Sequence, residues 1–546
     1  MSAATSAGAG RPLRGELAGS GLLTRTALRR DRVQLPVWVY VVTASVASTA
    51  YSFHKLYPSA AQRESLAGTL TRNGSLRALY GPVFDASTVG GLTAWRMVGF
   101  GSLAAGLMSL LLVVRHTRAE EESGRQELIG SAPVGRRAPL TAALTAALTA
   151  NLALAALIVL ALSVLGQGGP GAVVLGLSLA GCGLVMAAVA ALAAQATGTS
   201  RAANGLSSTV LGAFFVLRAA GDAGSTGGNW LDWLSPIGWA EQTRAYAEDR
   251  WWVLALPVVA AVLLSALAYA AAARRDLGAG LLPDRPGPAS AAPGRLASPL
   301  ALAVRLQRGT LLGWTSGFAA GGAVFGSVTR GVKQIAQGSG QLQQIFERLG
   351  GERQLVNAYL ATVASMLAMI AAAYAVQAVQ RLHGEEAGGR AEPLLAGPVS
   401  RLRWASGHLL FALAGPVLLL AAGGVVSGAA AGAVTDGAGR EAWRMLGACL
   451  ATLPAVWFTA GATVFLYGAA PRARAAGWAL LSAFIVISWV GPAVQLSHWV
   501  LDLSPFQQVS RLPGTALSLS PLVWMTALAA VLTDAGLVTL RRRDLG

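Results

Sequence analysis

Apolar residues in this chain run in long blocks separated by short charged stretches. Twelve blocks stand out: 36–57, 94–114, 139–165, 171–194, 204–220, 252–272, 310–328, 355–379, 404–430, 445–467, 477–496 and 522–540. A helix needs roughly 20 apolar residues to cross a bilayer, and these blocks have that scale. Backbone amides in lipid must be satisfied within their own segment, so the blocks are expected to be helices. The block 204–220 is the shortest and carries Arg218 near its end. The pattern therefore predicts an all-α polytopic membrane protein.

The polar stretches between the blocks repeat. Residues 120–136 read E-E-E-S-G-R-Q-E-L-I-G-S-A-P-V-G-R, and residues 385–401 read E-E-A-G-G-R-A-E-P-L-L-A-G-P-V-S-R. Gly124-Arg125-x-Glu127 aligns with Gly389-Arg390-x-Glu392, and Pro133-Val134-x-Arg136 with Pro398-Val399-x-Arg401, both at an offset of 265. Leu234-Ser235-Pro236 recurs as Leu503-Ser504-Pro505, and Arg274-Arg275-Asp276-Leu277-Gly278 as Arg542-Arg543-Asp544-Leu545-Gly546. A unit of half the chain is thus duplicated. The expected architecture is two homologous six-helix bundles related by a pseudo-twofold, a frequent build of membrane transporters. The divisions follow: 1–35 as a lead-in segment, 36–275 as the first half, 276–308 as a linker, and 309–546 as the second half.

Each half opens with an amphipathic stretch, Leu22 to Arg30 in one copy and Leu300 to Arg308 in the other. Leucines on one side and arginines on the other suit a helix lying in the membrane interface, and a disordered basic tail is the alternative. Long outer loops are expected at 58–93 and 329–353. The segment before the sixth block is rich in tryptophan (Trp230, Trp233, Trp239, Trp251 and Trp252), as fits the headgroup level. Short helices dipping into the outer leaflet, broken at Leu-Ser-Pro, are expected there, with a plain loop as the alternative. The run Pro283-Asp284-Arg285-Pro286-Gly287-Pro288 marks a flexible linker.

Composition agrees: 54% of residues are hydrophobic, only 12% are charged, and the mean hydropathy is +0.53. The net charge of +17 could suggest nucleic acid, but its distribution argues otherwise. Of the 42 basic residues, 27 fall on the side that holds the N-terminus, and acidic residues divide 12 and 12, with Asp534 inside the last block. That asymmetry is a topology signal placing both termini in the cytoplasm. No basic stretch interleaves with aromatics, so no nucleic-acid partner is expected. The N-terminus is Gly/Ala/Arg-rich and reads as a cytoplasmic lead-in. Cys182 and Cys449 occupy equivalent blocks and are expected to be packed thiols.

Catalytic chemistry finds little support. A P-loop needs Gly-Lys before Ser or Thr, yet Lys55 follows His54 and Lys333 follows Val332. The five histidines fall at no metal-ligand spacing. No metal, cofactor or enzymatic activity of the chain's own is expected. What remains is the repeated charged element, which could dock a soluble partner by complementary ion pairs. Alternatively its arginines merely enforce topology and its glutamates keep a loop soluble.

The E-E-x-x-G-R-x-E-L…P-V-x-R loops, the R-R-D-L-G endings and the L-S-P elements resemble the ABC-2-type exporter permeases. The similarity is greatest to their twelve-span, internally duplicated branch associated with polyketide and ionophore antibiotics, the tetronasin-exporter-like permeases. The resemblance covers essentially the whole chain. It implies a plasma-membrane efflux permease worked by a separate ABC ATPase subunit in two copies, which would bind the ATP and Mg. Glu120, Glu121, Glu122, Arg125, Glu127, Pro133 and Arg136 would form one ATPase-coupling element. Glu385, Glu386, Arg390, Glu392, Pro398 and Arg401 would form the other, and the amphipathic lead-ins would be connecting helices. The second copy departs in having Pro393 where Leu128 stands, which predicts a shorter or bent coupling helix.

The expected mechanism is lateral entry of a small hydrophobic substrate from the lipid between the halves, followed by rigid-body expulsion. Gly317, Gly321, Gly322 and Gly326 recur at close-packing spacing. Charges inside the membrane mark function by default, so Arg96, Arg218 and Asp534 are substrate-path candidates. Arg96 and Arg218 lie near block ends and could instead snorkel, and Asp534 could pair with a neighbouring helix. Two rivals remain: an ion-coupled secondary transporter, which would need more buried acids than Asp534, and a polytopic membrane enzyme acting on lipid-linked substrates.

Overall fold

A computed structural model describes the chain except residues 1–12, 72–73, 225–228, 277, 283–297, 338–351, 434–436, 471–475, 490, 492–496 and 543–546. Its regular elements among the described residues are all helical, and they gather into two compact units, Met1–Pro286 and Gly287–Gly546.

In the first unit the central helix is Pro170–Ala196. Its most apolar window is 78% buried, against 17% for Trp251–Ala273, so the former is core and the latter rim. Val89–His116, Ala138–Val164 and Ala255–Ala273 pack around that centre. The rim is greasy: Val258, Val259, Val262, Leu263 and Leu267 are all exposed. A soluble domain would not present so continuous an apolar patch. Exposed hydroxyls on the neighbouring helix turn inward, with Thr145 donating to Thr141 O at 2.8 Å and Thr149 to Thr145 O at 2.9 Å. Polar groups thus close on their own helix, as hydrocarbon surroundings require.

In the second unit Glu352–Ala387 and Leu453–Ala469 are central, and Pro299–Gln337 lies along Arg401–Gly432. Half of the predicted glycine seam explains that contact. A Cβ at Gly322 would stand 2.6 Å from Gly423 O, and one at Gly326 would stand 2.3 Å from Ser427 O. Gly317 and Gly321 face open space within the unit and serve no such purpose. Both cysteines are free and buried.

Several expectations need correction. Among the described residues nine helical stretches are long and apolar enough to cross a membrane, or ten with one bent pair; of the twelve expected blocks, 477–496 lies partly outside the described residues. The two shortfalls occupy equivalent places. Ser200–Gly224 has 25 residues, but Asn204, Ser207, Ser208, Thr209 and Arg218 dilute it, whereas Ala476–Trp489 has 14 and is bordered by residues outside those described. Each precedes a Leu-Ser-Pro element.

The bent pair is the first lead-in. Ser20–Arg30 meets Gln34–Leu56 at 66°. The corner is pinned by Asp31, 1% exposed, which holds Arg115 at 2.6 Å and His116 at 2.5 Å. The second lead-in makes no such corner. Leu300 to Arg308 continue into one helix, Pro299–Gln337, and Gly309 follows Arg308 where Asp31 follows Arg30 in the first copy. Residues 58–93 are not a plain loop either: they form helices Ala60–Thr71 and Gly74–Tyr80, and Arg63 ties their base by donating to Tyr57 O and Ser87 O at 2.8 and 2.6 Å. The Pro-rich linker run, residues 338–351 of the second outer loop and most of the terminal R-R-D-L-G lie outside the described residues.

The Leu-Ser-Pro segments do form short helices, Pro236–Gln242 and Pro505–Gln508. Ser235 caps the first by accepting from the Ile237 and Gly238 amides. Its hydroxyl also donates to Phe214 O at 2.9 Å, and Ser504 donates to Phe484 O at 3.2 Å. The same bond recurs 269–270 residues later, so the repeated tripeptide does the same job twice.

Candidate functional site

The first charged element begins where helix Val89–His116 runs into Arg118–Glu122, then turns at Gly124 (φ 73°) into Arg125–Gly130. Its three glutamates reach three different elements. Glu120 pairs with Arg30 of the lead-in helix and, at 3.4 Å, with Arg125. Glu121 is nearly buried; it holds Arg118 at 2.7 Å and also Arg275, beyond the last helix of the unit. Glu122 accepts from the Ser200 amide at 3.0 Å, satisfying an orphan N–H at the start of Ser200–Gly224. Arg118, 1% exposed, donates to Gly278 O and Ala279 O at 2.7 and 3.1 Å. Arg136 donates to Arg275 O at 3.0 Å and reaches Ala273 O at 3.4 Å.

The second element rebuilds the same plan. Gly389 (φ 66°) makes the turn, Arg390 pairs back to Glu385 at 2.9 Å, Glu386 accepts from the Tyr467 hydroxyl, and Arg401 reaches Arg541 O at 3.5 Å. The repeated residue types now have reasons. Glycine supplies a left-handed turn, the following arginine closes on the first glutamate, and the last arginine grips carbonyls at the end of the unit's final helix. The second short helix, Glu392–Leu395, has four residues against six, with Pro393 in its first turn. Left on the surface are Arg125, Glu127, Leu128 and Pro133 in one unit, and Arg390, Glu392, Pro393 and Pro398 in the other.

The three intramembrane candidates separate. Arg96 is half-buried, its guanidinium 4.4 Å from the Tyr80 ring centre. Asp534 is exposed on Leu519–Arg542 and has no ion-pair partner among the described residues. Arg218 does not snorkel: it is fully buried, with Glu241 at 2.7 Å, Asp222 at 3.5 Å, and Ala78 O and Leu79 O at 3.0 Å each. Its length is consumed inside the unit by partners on its own helix and on two other segments, so it cannot reach an interface. Asp232 joins the group, fully buried, accepting from the Asn229 amide at 2.6 Å. Burial is the main force pushing the Asp232 and Glu241 carboxyls above the usual carboxylate range.

A family model described as "Multidrug efflux system permease Rv1217c, C-terminal domain" matches the chain twice, over residues 25–271 and 296–541. The chain belongs to this multidrug efflux permease family. The double match shows that each half of this efflux permease is one copy of the family domain, and each copy carries one charged element and one Leu-Ser-Pro. The multidrug efflux system permease protein Rv1217c of Mycobacterium tuberculosis (strain ATCC 25618 / H37Rv) is 42% identical over 524 residues, covering 96% of this chain and 94% of the relative. The chain is accordingly a multi-pass membrane permease for efflux.

Sequence reasoning missed four residues that matter in this permease: Arg118, Asp222, Asp232 and Glu241. Arg218 and Asp222 stand four apart on one helix, a spacing that could have flagged the pair. Asp232 and Glu241 gave no signal, because only folding brings the Leu-Ser-Pro helix onto Arg218.

Proposed function

We propose that this chain is the membrane subunit of an ATP-driven ABC-2-type exporter, in the twelve-span duplicated branch. In this reading, two copies of a separate ATPase dock on its cytoplasmic charged elements. The observation that carries the reading is the duplicated, ion-paired prong: the same turn, the same Glu–Arg closure and the same grip on the final helix in both units. A topology signal would need arginines but no repeated architecture. Glu120, Glu121 and Glu122 bond inward to the unit's other elements, while Arg125, Glu127, Leu128 and Pro133, with their second-unit equivalents, face outward to a partner. Force on a prong would pass through Glu121 and Arg136 to the end of the last helix, and through Glu120 to the lead-in. ATP and Mg belong to the partner. The membrane is a bacterial plasma membrane with both termini in the cytoplasm, as the basic-residue asymmetry supports. Substrates are small hydrophobic or amphipathic compounds, in keeping with the relative's name.

Co-purification tests the docking. Substituting the exposed Arg125, Glu127, Arg390 and Glu392 together should release a P-loop ATPase without unfolding the permease, and a complex that survives all four changes rejects the docking. Drug accumulation in cells with and without the ATPase tests the energy source. The buried Asp222, Asp232 and Glu241 favour one second reading, an ion-coupled transporter, because such carriers need buried acids. Efflux that persists without the ATPase and collapses with the proton gradient would select it.

A further inference from the structure

The two units differ at one equivalent place, and the difference is a cavity. In the second unit a space of about 510 Å³ opens beside the Leu-Ser-Pro helix, lined by Ser365, Met369, Ser488, Trp489, Phe506 and Arg511 among others. At the offset of 265 that aligns the second helices, Ser365 corresponds to Phe100. At the offset of 270 set by Phe214 and Phe484, Ser488 corresponds to Arg218. In the first unit large side chains stand at those two positions. Phe100 packs against Tyr80 and Phe215 at 5.6 and 6.4 Å between ring centres, and Arg218 is locked by Glu241. Two serines replace them in the second unit, and the space beside those serines has the scale of a drug-sized pocket.

We propose that this second-unit cavity is a binding site for a drug-sized amphipathic molecule with an acidic or neutral polar head, and that the first unit has no equivalent site. The lining supplies both halves of such a molecule. Met369, Trp489 and Phe506 form an apolar wall, which the Trp489 Nε1–H closes by donating to Met369 Sδ at 3.2 Å. The opposing polar strip is ordered before any ligand arrives. Ser488 and Ser504 hydroxyls meet at 2.7 Å, Gln507 donates to Ser488 O at 2.8 Å, and Gln507 accepts from Arg511 at 3.3 Å. Among the described residues Arg511 makes no ion pair, and no lining side chain is a carboxylate. A neighbouring first-unit cleft is small, about 20 Å³, and includes Asp85 and Glu241. Charge therefore selects against cationic heads.

The site rests on the efflux reading but is tested apart from it, on the purified full-length permease in nanodiscs without ATPase or nucleotide. The probes are a twelve-carbon chain with a diazirine and a terminal carboxylate, the same chain ending in an alcohol, and the same chain ending in trimethylammonium. Photolabelling by the carboxylate and the alcohol should map by mass spectrometry to 358–369 and 505–515 and should not map to the equivalent first-unit peptides. Ser365→Phe, which installs the first unit's residue, should cut labelling at least tenfold. Arg511→Gln, at an exposed position, should weaken the carboxylate about tenfold, the scale of one charge-assisted hydrogen bond, and leave the alcohol unchanged. Equal labelling of both units, labelling untouched by Ser365→Phe, or a trimethylammonium probe that labels as well as the carboxylate would overturn the proposal. Those outcomes leave ATP-dependent efflux in cells untouched, so the two failures are distinguishable.

Discussion

Replacing Arg218 by methionine is the sharpest perturbation of this fold. Methionine keeps an unbranched apolar stem and deletes the guanidinium, which makes bonds of 2.7 Å to Glu241 and 3.0 Å to two backbone carbonyls inside a fully buried setting. Three buried carboxyls, Asp222, Asp232 and Glu241, then face one another with no cation, and removing one partner of a buried pair costs about 3–5 kcal/mol. The expected loss for Arg218→Met is of that size, read as denaturant unfolding of the purified permease in micelles by tryptophan fluorescence. Trp230, Trp233 and Trp239 flank the cluster in sequence and should report it. Asp222→Asn should cost far less, because Asp222 stands 3.5 Å from Arg218 where Glu241 stands at 2.7 Å. The double variant Arg218→Met with Glu241→Gln should recover about 1–3 kcal/mol of the summed single losses. A methionine variant within about 1 kcal/mol of wild type, or strictly additive losses in the double variant, would refute the idea that Arg218 holds an over-acidic cluster together.

Three further outcomes are expected. Gly322→Val and Gly326→Val should each destabilise the second unit by about 1–3 kcal/mol, while Gly317→Val and Gly321→Val are tolerated, since only the first pair has a carbonyl in the way; thermal unfolding of the four variants separates the classes. Glu121→Gln should destabilise the permease because it leaves Arg118 and Arg275 short of an anion, whereas Glu127→Gln should leave unfolding unchanged and weaken only ATPase capture, so equal unfolding curves for the two would contradict the geometry. Asp232 and Glu241 hold protons more tightly folded than unfolded, so their contribution is favourable at low pH and is lost as pH rises above the ordinary carboxylate value of about 4. Unfolding midpoints at pH 4.5, 6 and 7.5 should fall in that order, with a shallower fall in Asp232→Asn; a wild-type slope no steeper than the variant's would show that burial does not raise Asp232.

What the sequence decided by itself is the material and the repetition. Blocks of apolar residues dictate helices because lipid offers no alternative partner for the backbone, and the charged element announces itself because it occurs twice. Its glycine, arginine and proline spacing translated directly into a left-handed turn, a back-pairing side chain and a grip on the final helix, all local geometry that neighbouring residues determine. The break between Ser20–Arg30 and Gln34–Leu56 was legible as a lead-in, but its absence in the second copy was not, because the corner depends on Asp31 meeting Arg115 and His116 from another helix. The tertiary structure alone divided the repeated element into Glu120, Glu121 and Glu122, which hold the unit together, and the surface residues Arg125 and Glu127. It also moved Arg218 from a snorkelling rim residue to the centre of a buried cluster, and set Ser365 and Ser488 on a cavity at the positions that Phe100 and Arg218 hold in the first unit. Burial, pairing and empty space arise from segments up to 160 residues apart, as with Arg118 and Gly278, and one-dimensional spacing carries no information on which of them will meet.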